Sequence, residues 1–271
     1  MFQRGCRKSH TFMPDPSPRF GRPFIYLRWF GFVSVALILF LFSSRVLAGP
    51  PFFTDDPVPV ELHHWEIYFA SQYLQTTDNR SGTAPHIDAN YGAYPNLHVH
   101  VQVPAVFNRA DGRPTTYGYG DSEIGFKYRI LQETDDLPQA AIYPTVDFPT
   151  GNADRGLGNG KTFGFMPLWL QKSWGPWTTY WGAAYWINEA EGQKNWVYTG
   201  WVVQRDLSKT LTLGVELLHR TPETVDGDSG TGFTAGGQVN LSEHYHLLLS
   251  IGRDFSGPNR YTQYTALQWT F

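Results

Sequence analysis

From residue 64 to the end, apolar and polar side chains alternate at period two, segment after segment, and no convincing helical stretch interrupts them. A chain built of strands must satisfy its backbone N–H and C=O groups by pairing strand with strand, which limits it to a small set of sheet architectures. In "LHVHVQVPAVF", Leu97, Val99, Val101, Val103, Ala105 and Phe107 oppose His98, His100, Gln102 and Pro104. In "SEIGFKYRI", Ile124, Phe126, Tyr128 and Ile130 oppose Glu123, Lys127 and Arg129, and "TLTLGVEL" and "TGFTAGGQVNL" behave alike. "NWVYTGWVV" differs: it carries bulky apolar groups on both faces, and its orientation stays open. Twelve segments of strand character result, at 64–75, 87–94, 97–108, 118–131, 138–148, 162–173, 177–188, 195–206, 210–221, 231–241, 244–254 and 260–271.

The connections alternate between short and long. "YPN", "QETDDL", "WGP", "LSK" and "SEH" fall on one side; "RADGRPTTYG", "PTGNADRGLGNGK", "NEAEGQK", "TPETVDGDSG" and "SGPN" fall on the other, with "TTDNRSGTAPHI" as a long opening loop. With both termini on the short side, every connection there has six residues or fewer. Tight turns at one end and larger loops at the other are the pattern of an outer-membrane barrel. A strand of about eleven residues, rising ~3.3 Å each and tilted by about 40°, covers the ~25 Å apolar band of that membrane. The predicted fold is all-β: a transmembrane antiparallel up-and-down β-barrel of about 12 strands over residues 64–271, with apolar rows toward lipid, Trp and Tyr girdles and a polar lumen. The predicted location is the outer membrane of a Gram-negative bacterium, with outer-membrane lipid as the first partner.

Composition agrees: 27 Gly, an aromatic share of 16% and only 17% charged residues suit many strands and turns. Between Trp29 and Phe42 runs "WFGFVSVALILFLF", preceded by Arg4, Arg7, Lys8, Arg19, Arg22 and Arg28 and followed by small residues at Val46 and Ala48. That order reads as a secretory signal over residues 1–48, removed after Ala48, and the run is short for a spanning helix. Residues 49–63 are then expected as an N-terminal periplasmic segment. Cys6, the one cysteine, falls in the part to be removed. Losing seven basic residues and one acidic one leaves 14 Lys+Arg against 23 Asp+Glu, a net charge of −9 that disfavours nucleic acid as a partner.

The chain ends on "RYTQYTALQWTF", in which Tyr261, Gln263, Thr265, Leu267, Trp269 and Phe271 share one face. A sheet in lipid can leave no edge unpaired, so this strand is expected to close on residues 64–75 with Trp269 and Phe271 in the periplasmic girdle. An outward terminal Phe also resembles the signal read by the barrel-assembly machinery, which makes that machinery an expected partner of a monomeric barrel.

Lumen-lining or selectivity candidates are Glu123, Lys127, Arg129, Glu216, Arg220 and Arg260, with Asp147 and Asp254 beside them; mixed charges inside a barrel pair off and shape any path. The external loop "PTGNADRGLGNGK" is expected to fold over or into the mouth, with Asp154, Arg155 and Lys161 tying it to the wall by ion pairs. "RGLGNGKT" mimics a nucleotide loop, but Arg155 stands where that motif needs Gly and the following "TFGFMPLWL" reads as strand. His98 with His100 and His244 with His246 are i, i+2 pairs that offer imidazoles to a metal; with no carboxylate fixed near them, polar lumen histidines are the simpler reading, and no metal or cofactor is expected. His219, Asp206 and Ser208 are triad ingredients without a signature, so no enzyme is predicted.

"GPPFFTDDPVPVELHHWEIYFASQY", "PTGNADRGLGNGKTFGFMPLWLQKSWGPWTTYWGAAYWIN", "GWVVQRDL", "ELLHRTPETV", "TGFTAGG" and "HYHLLLSIGRDFSGPNRY" are similar to a family of proteobacterial outer-membrane transporters labelled for the meta-cleavage pathway of phenol degradation. The resemblance spans nearly the whole exported chain. It implies a barrel in the outer membrane and uptake of aromatic or other hydrophobic compounds, and it carries no site residues with it. The expected function is therefore passive passage of small hydrophobic or aromatic solutes, with a side opening where Pro144, Pro149 and Pro167 withdraw donors from the ladder. The alternatives are a structural or surface-interaction barrel with a plugged lumen and, further off, a lipid-modifying enzyme.

Overall fold

The computed structural model describes residues 51–271; the signal segment expected over 1–48 lies outside the described residues. The strands are β1 (Trp65–Gln75), β2 (Asn79–Tyr94), β3 (Leu97–Ala110), β4 (Thr116–Tyr119), β5 (Ser122–Leu131), β6 (Gln139–Ile142), β7 (Thr145–Phe148), β8 (Phe163–Trp174), β9 (Trp177–Ile187), β10 (Trp196–Asp206), β11 (Leu211–Arg220), β12 (Gly230–Asn240), β13 (Tyr245–Ser256) and β14 (Tyr261–Thr270). Every pairing is antiparallel. β4 and β5 both pair with β3, and β6 and β7 both pair with β5 and β8. Each couple is thus one wall strand broken midway, at Gly120–Asp121 and at Tyr143–Pro144, and the wall has the twelve strands that the alternation predicts.

The sheet closes on itself. β14 pairs with β1 from Glu66↔Thr270 to Gln75↔Tyr261, and Trp65 and Phe271 exchange N–H···O bonds of 2.7 and 3.1 Å at the rim. Closure removes the two edges whose unpaired N–H and C=O groups would each cost several kcal/mol in hydrocarbon. Burial is inverted relative to a water-soluble sandwich. Val215 is 58% exposed while its neighbour Glu216 is 2% exposed, and the same reversal holds for Ile251 and Ser250 or Leu267 and Gln268. Apolar rows outside and polar groups inside suit a barrel set in a membrane, and the closed antiparallel form is the one built by outer membranes of Gram-negative bacteria. Among the described residues no helix is long and apolar enough to cross a membrane; the strands do it.

Trp269 and Phe271 both sit on the outward row of the closing strand, 4.3 Å apart between ring centroids, with Tyr245 stacked on Trp269 at 6.2 Å. Trp65 and Tyr91, at 4.7 Å, continue this belt around the end where β1 begins and β14 finishes.

Two loop expectations are corrected. "TTDNRSGTAPHI" is not a long external loop: β2 starts at Asn79, and only 76–78 turn. Residues such as Ser81, Gly82 and Thr83 lack the bulk that marks a strand, but pairing with both β1 and β3 gives their backbone groups partners and overrides propensity. The terminal-side connection over 132–138 has seven residues, one more than the expected maximum, because β6 begins only at Gln139.

Candidate functional site

The inward rows and whatever they hold define the candidate site. A segment expected in the periplasm lies among them. Residues 51–56, part of the 49–63 stretch, run inside the barrel. Glu216 Oε1 accepts the N–H of Thr54 at 2.7 Å, Glu216 Oε2 that of Phe53 at 3.3 Å, and Ser250 donates its hydroxyl to the carbonyl of Pro51 at 2.5 Å. Tyr198 completes the clasp, donating to Glu216 at 2.6 Å and bonding Thr54 Oγ1 at 3.0 Å. Lys127 pairs with Asp55 at 2.7 Å and stands 3.8 Å from Asp56, while Val60 donates its N–H to His98 Nδ1 at 3.1 Å. Phe52 packs on Tyr180 and Val202. The physical reason is reciprocal burial: inward Glu216 and Lys127 need partners in a water-poor lumen, and a segment with free N–H groups and two carboxylates supplies them. Two glycines make room for it. A Cβ on Gly200 would fall 1.8 Å from Thr54 Oγ1, and one on Gly214 would fall 3.0 Å from the Phe52 ring.

Beside this plug the wall has two characters. On β2, β3, β5 and β7 it is ionic. His100 faces Asp88 through Nδ1 at 3.0 Å and Glu123 through Nε2 at 2.7 Å, with Asn90 Oδ1 also 3.0 Å from Nδ1. Asp147 stands directly across the ladder from Glu123. Tyr143 lies edge-on to His98 and His100, at 5.6 and 5.4 Å, and carries the Lys127 ammonium 5.0 Å from its ring centroid. On β8 to β11 the inner wall is aromatic and aliphatic. Trp169, Ala184, Tyr198 and Leu218 form a buried cluster against which Tyr143, Phe165 and Trp196 pack, and Trp186 stacks on Trp196 at 5.4 Å and 8°. A uniformly polar lumen is therefore not what folds. The bulky groups on both faces of "NWVYTGWVV" are the sequence signal for it, because an inner row that is itself apolar erases the alternation.

At the end opposite the start of β1 and the finish of β14, Arg220 grips both oxygens of Asp254 at 2.8 and 2.6 Å, and Arg260 grips both oxygens of Glu223 at 2.7 and 3.1 Å. Arg220 Nε lies 3.6 Å from Glu223, which links the two pairs into one bracket across β11, β13 and the loops over 221–229 and 257–260. Arg129 sits at the other end, giving two hydrogen bonds to Asn96 in the β2–β3 turn at 3.0 and 2.7 Å.

The loop over 149–162 is fastened to β4 and β5 and buries Leu157 against Gly118. The ion pairs expected there are replaced by hydrogen bonds: Arg155 donates to the carbonyl of Tyr117 at 3.3 Å and Lys161 to that of Glu189 at 3.0 Å. Asp154 lies in the short 3-10 turn Ala153–Arg155, which Asn152 caps. The anchor that sequence reading missed is Asp121. Its carboxylate accepts the N–H groups of Gly151 and Asn159 at 2.9 and 2.6 Å, and nothing in the sequence marks it, because the break between β4 and β5 at which it stands falls inside what reads as one segment, 118–131. Lys161 leads into strand β8, so the helix that a nucleotide loop requires does not follow.

His98 and His100 point inward and are held as described; His246 bonds Asn240 at 2.8 Å, and His244, in the turn before β13, faces the carbonyl of Thr270 at 2.8 Å. Among the described residues no three His, Cys, Asp or Glu side chains are grouped to hold a metal. Ser208 precedes β11 and His219 nearly ends it, so these two lie at opposite ends of the strand, and Asp206 at the Ser208 end is taken by Thr212 at 2.6 Å.

The fold is shared with solved bacterial barrels. The chain is similar to the COG4313 outer membrane channel from Pseudomonas putida F1, at 14% identity and TM-score 0.66 over 80% of this chain and 98% of that one. It is also similar to the KdgM porin in complex with disordered oligogalacturonate, at 6% identity and TM-score 0.53 over 75% and 99%, and to the NanC porin, at 7% and 0.51 over 75% and 98%. No curated protein sequence matches. The family described as "Putative MetA-pathway of phenol degradation" matches residues 65–271, every wall strand included, and the chain belongs to that family.

Proposed function

We propose that this protein is an outer-membrane channel for passive passage of small apolar or aromatic molecules. The observation that carries the reading is the aromatic inner wall of Phe165, Trp169, Trp186, Trp196 and Tyr198, which ends beside a gap in the ladder. β6 pairs with β8 as far as Ile142↔Leu168 and β7 resumes at Thr145↔Phe165. Between these, Pro144 and Pro167 both lack an N–H, so the wall has no backbone donor from either residue at the place where an apolar solute would leave sideways into lipid. Its energetics ask only for a solute that prefers aromatic surface to water and an outer-leaflet concentration that drives it inward. The chain acts as a monomer inserted by the barrel-assembly machinery through Trp269 and Phe271, and it uses no catalytic group.

The fastened segment over 51–56 favours a second reading, a sealed structural or surface-interaction barrel. Liposomes holding the protein and assayed with aromatic acids, hydrocarbons and sugars separate the two. Uptake of the aromatic or hydrocarbon solutes above sugars, reduced when Pro167→Val restores a ladder donor, supports the channel. Absence of all flux, in the wild type and in a variant lacking residues 51–56, supports the sealed barrel.

A further inference from the structure

On one side of the barrel the outward rows change character toward the end that carries the longer loops over 149–162 and 221–229, the external end. Val103, Ile87, Phe69 and Leu267 form an apolar lipid-facing row over β3, β2, β1 and β14, each opposite the next across the ladder. Further out along the closing seam, Ser71 faces Thr265, and then Tyr73 faces Gln263. These four line a groove of about 280 Å³. Ser71 and Tyr73 donate their hydroxyls to Thr83 O and Gln75 Oε1 at 2.7 and 3.0 Å, whereas the side chains of Gln263 and Thr265 have no partner among the described residues. An amide and a hydroxyl turned toward acyl chains without a partner are costly, so the groove suits a polar ligand. The next row is basic. The registers place Arg109, Arg80, Gln75, Tyr261 and Arg253 in one transverse line over β3, β2, β1, β14 and β13, about 19 Å across at ~4.8 Å per strand spacing. All three arginines are exposed. Arg80 and Arg109 are direct cross-strand partners, which is destabilising for like charges unless an anion joins them. Asp78 and Asp111, in the connections just beyond, pair with neither, and Arg253 has Asn259 alone, at 3.4 Å. Rings fix the depth of this line: Tyr73 lies 6.3 Å from both Phe107 and Tyr261, as in an interfacial aromatic belt, and Arg109 follows Phe107 by two residues, about 7 Å.

We propose that this face binds a phosphorylated glycolipid of the external leaflet. Arg80 and Arg109 together hold one phosphate, Arg253 draws a second anionic group, and the groove of Ser71, Tyr73, Gln263 and Thr265 receives the hydroxyl and amide groups of the sugar. Guanidinium forks match phosphate oxygens two at a time, and a shared anion turns the repulsion between Arg80 and Arg109 into attraction. Basic clusters at headgroup depth recognise anionic lipids by this chemistry. A phospholipid with one phosphate and no sugar fits less well, because it leaves part of the arginine line and the polar groove unanswered. The bound lipid lies across β1 and β14, so it also braces the closing seam from outside. None of this depends on what passes through the lumen.

The test is native mass spectrometry of the full exported chain in detergent, with bisphosphorylated lipid A, monophosphorylated lipid A and phosphatidylglycerol added in turn. Retention of bisphosphorylated lipid A in preference to the other two supports the site. That retention is expected to fall about tenfold in Arg80→Gln, the order of one charge-assisted hydrogen bond, and further when Arg109→Gln is added. Arg80→Lys with Arg109→Lys keeps the charge but not the fork, and is expected to fall between the parent and the double Gln variant. Thr265→Val, which keeps the size of the side chain, is expected to weaken retention severalfold through the groove alone. Arg205→Gln removes an outward arginine that stacks on Trp177 at 5.1 Å at the short-turn end, and is expected to change nothing. No retained lipid A, equal retention of phosphatidylglycerol, unchanged retention in the double Gln variant, or an equal loss in Arg205→Gln overturns the proposal. A complex of two chains without glycolipid, broken by the double Gln variant, gives this face to a second copy and overturns it as well.

Discussion

Glu216 Oε1 accepts the backbone N–H of Thr54 at 2.7 Å, joining positions 162 residues apart in the chain at the middle of the barrel. The carboxylate also takes the N–H of Phe53 and the hydroxyl of Tyr198, so three donors converge on one buried charge. The relationship makes the lumen's contents part of the fold, and its strength is measurable.

Glu216→Gln keeps the shape of the clasp while removing its charge and replacing one acceptor oxygen by an NH2 group. A charge-assisted hydrogen bond contributes about 1.5–3 kcal/mol, so the segment over 51–56 is expected to leave the lumen in a detectable fraction of molecules. Thiol labelling of Thr54→Cys, at a position fully buried while the segment is in place, reads this directly, since the only natural cysteine, Cys6, lies in the segment expected to be removed. Labelling should be slow in the parent and fast in the Gln variant; equal rates would mean that Glu216 does not hold the segment.

Lys127 and its partner should not be equivalent. Lys127→Met leaves Asp55 and Asp56 facing a low-dielectric lumen without a cation, whereas Asp55→Asn leaves Lys127 with Asp56 at 3.8 Å. Breaking a buried pair from one side costs about 3–5 kcal/mol where no substitute is present. The Met variant is expected to lower the midpoint of heat-induced loss of compact gel mobility well below that of the Asn variant. Matching midpoints would contradict the asymmetry.

Gly200→Ala tests fit instead of charge. Its Cβ would stand 1.8 Å from Thr54 Oγ1, a distance that forces the segment or the strand to move. The β9–β10–β11 ladder is long and regular while the segment is held by a few side chains, so the segment is expected to yield. Channels of the Ala variant should conduct more than the parent in planar bilayers while circular dichroism keeps the same strand signal.

The bracket of Arg220, Glu223, Asp254 and Arg260 gives a fourth outcome. Arg220→Ala strands Asp254, whose side chain is 5% exposed, and frees Glu223 to pair with Arg260 alone. Loss of a partner at such a site costs about 3–5 kcal/mol, so the loops over 221–229 and 257–260 are expected to become cleavable by added protease. Arg220→Lys keeps the charge but not the two-oxygen grip, and should fall between the parent and the Ala variant.

Much of this architecture was written in local pattern. The alternation around Val215 and Glu216, or Lys127 and Tyr128, determined which side chains meet lipid, because strand geometry sends neighbours to opposite faces and a one-residue slip would put Glu216 or Lys127 in hydrocarbon. The same rule set the number of wall strands, the closure of β14 on β1 and the outward place of Trp269 and Phe271. Tertiary structure alone decided what fills the barrel. Residues 51–56 have no periodicity to read, and their partners Lys127, Glu216 and Ser250 come from three distant strands. Asp121 acquires its role only where β4 breaks and a loop 30 residues on returns to it, and the aromatic inner wall, hinted at by the bulky groups on both faces of "NWVYTGWVV", is assembled only once pairing sets β8 to β11 side by side with Trp186 opposite both Phe165 and Trp196. Alternation is a property of adjacent residues, fixed by the backbone; partnership across a lumen depends on closing the cylinder, which brings together groups that no spacing in the chain announces.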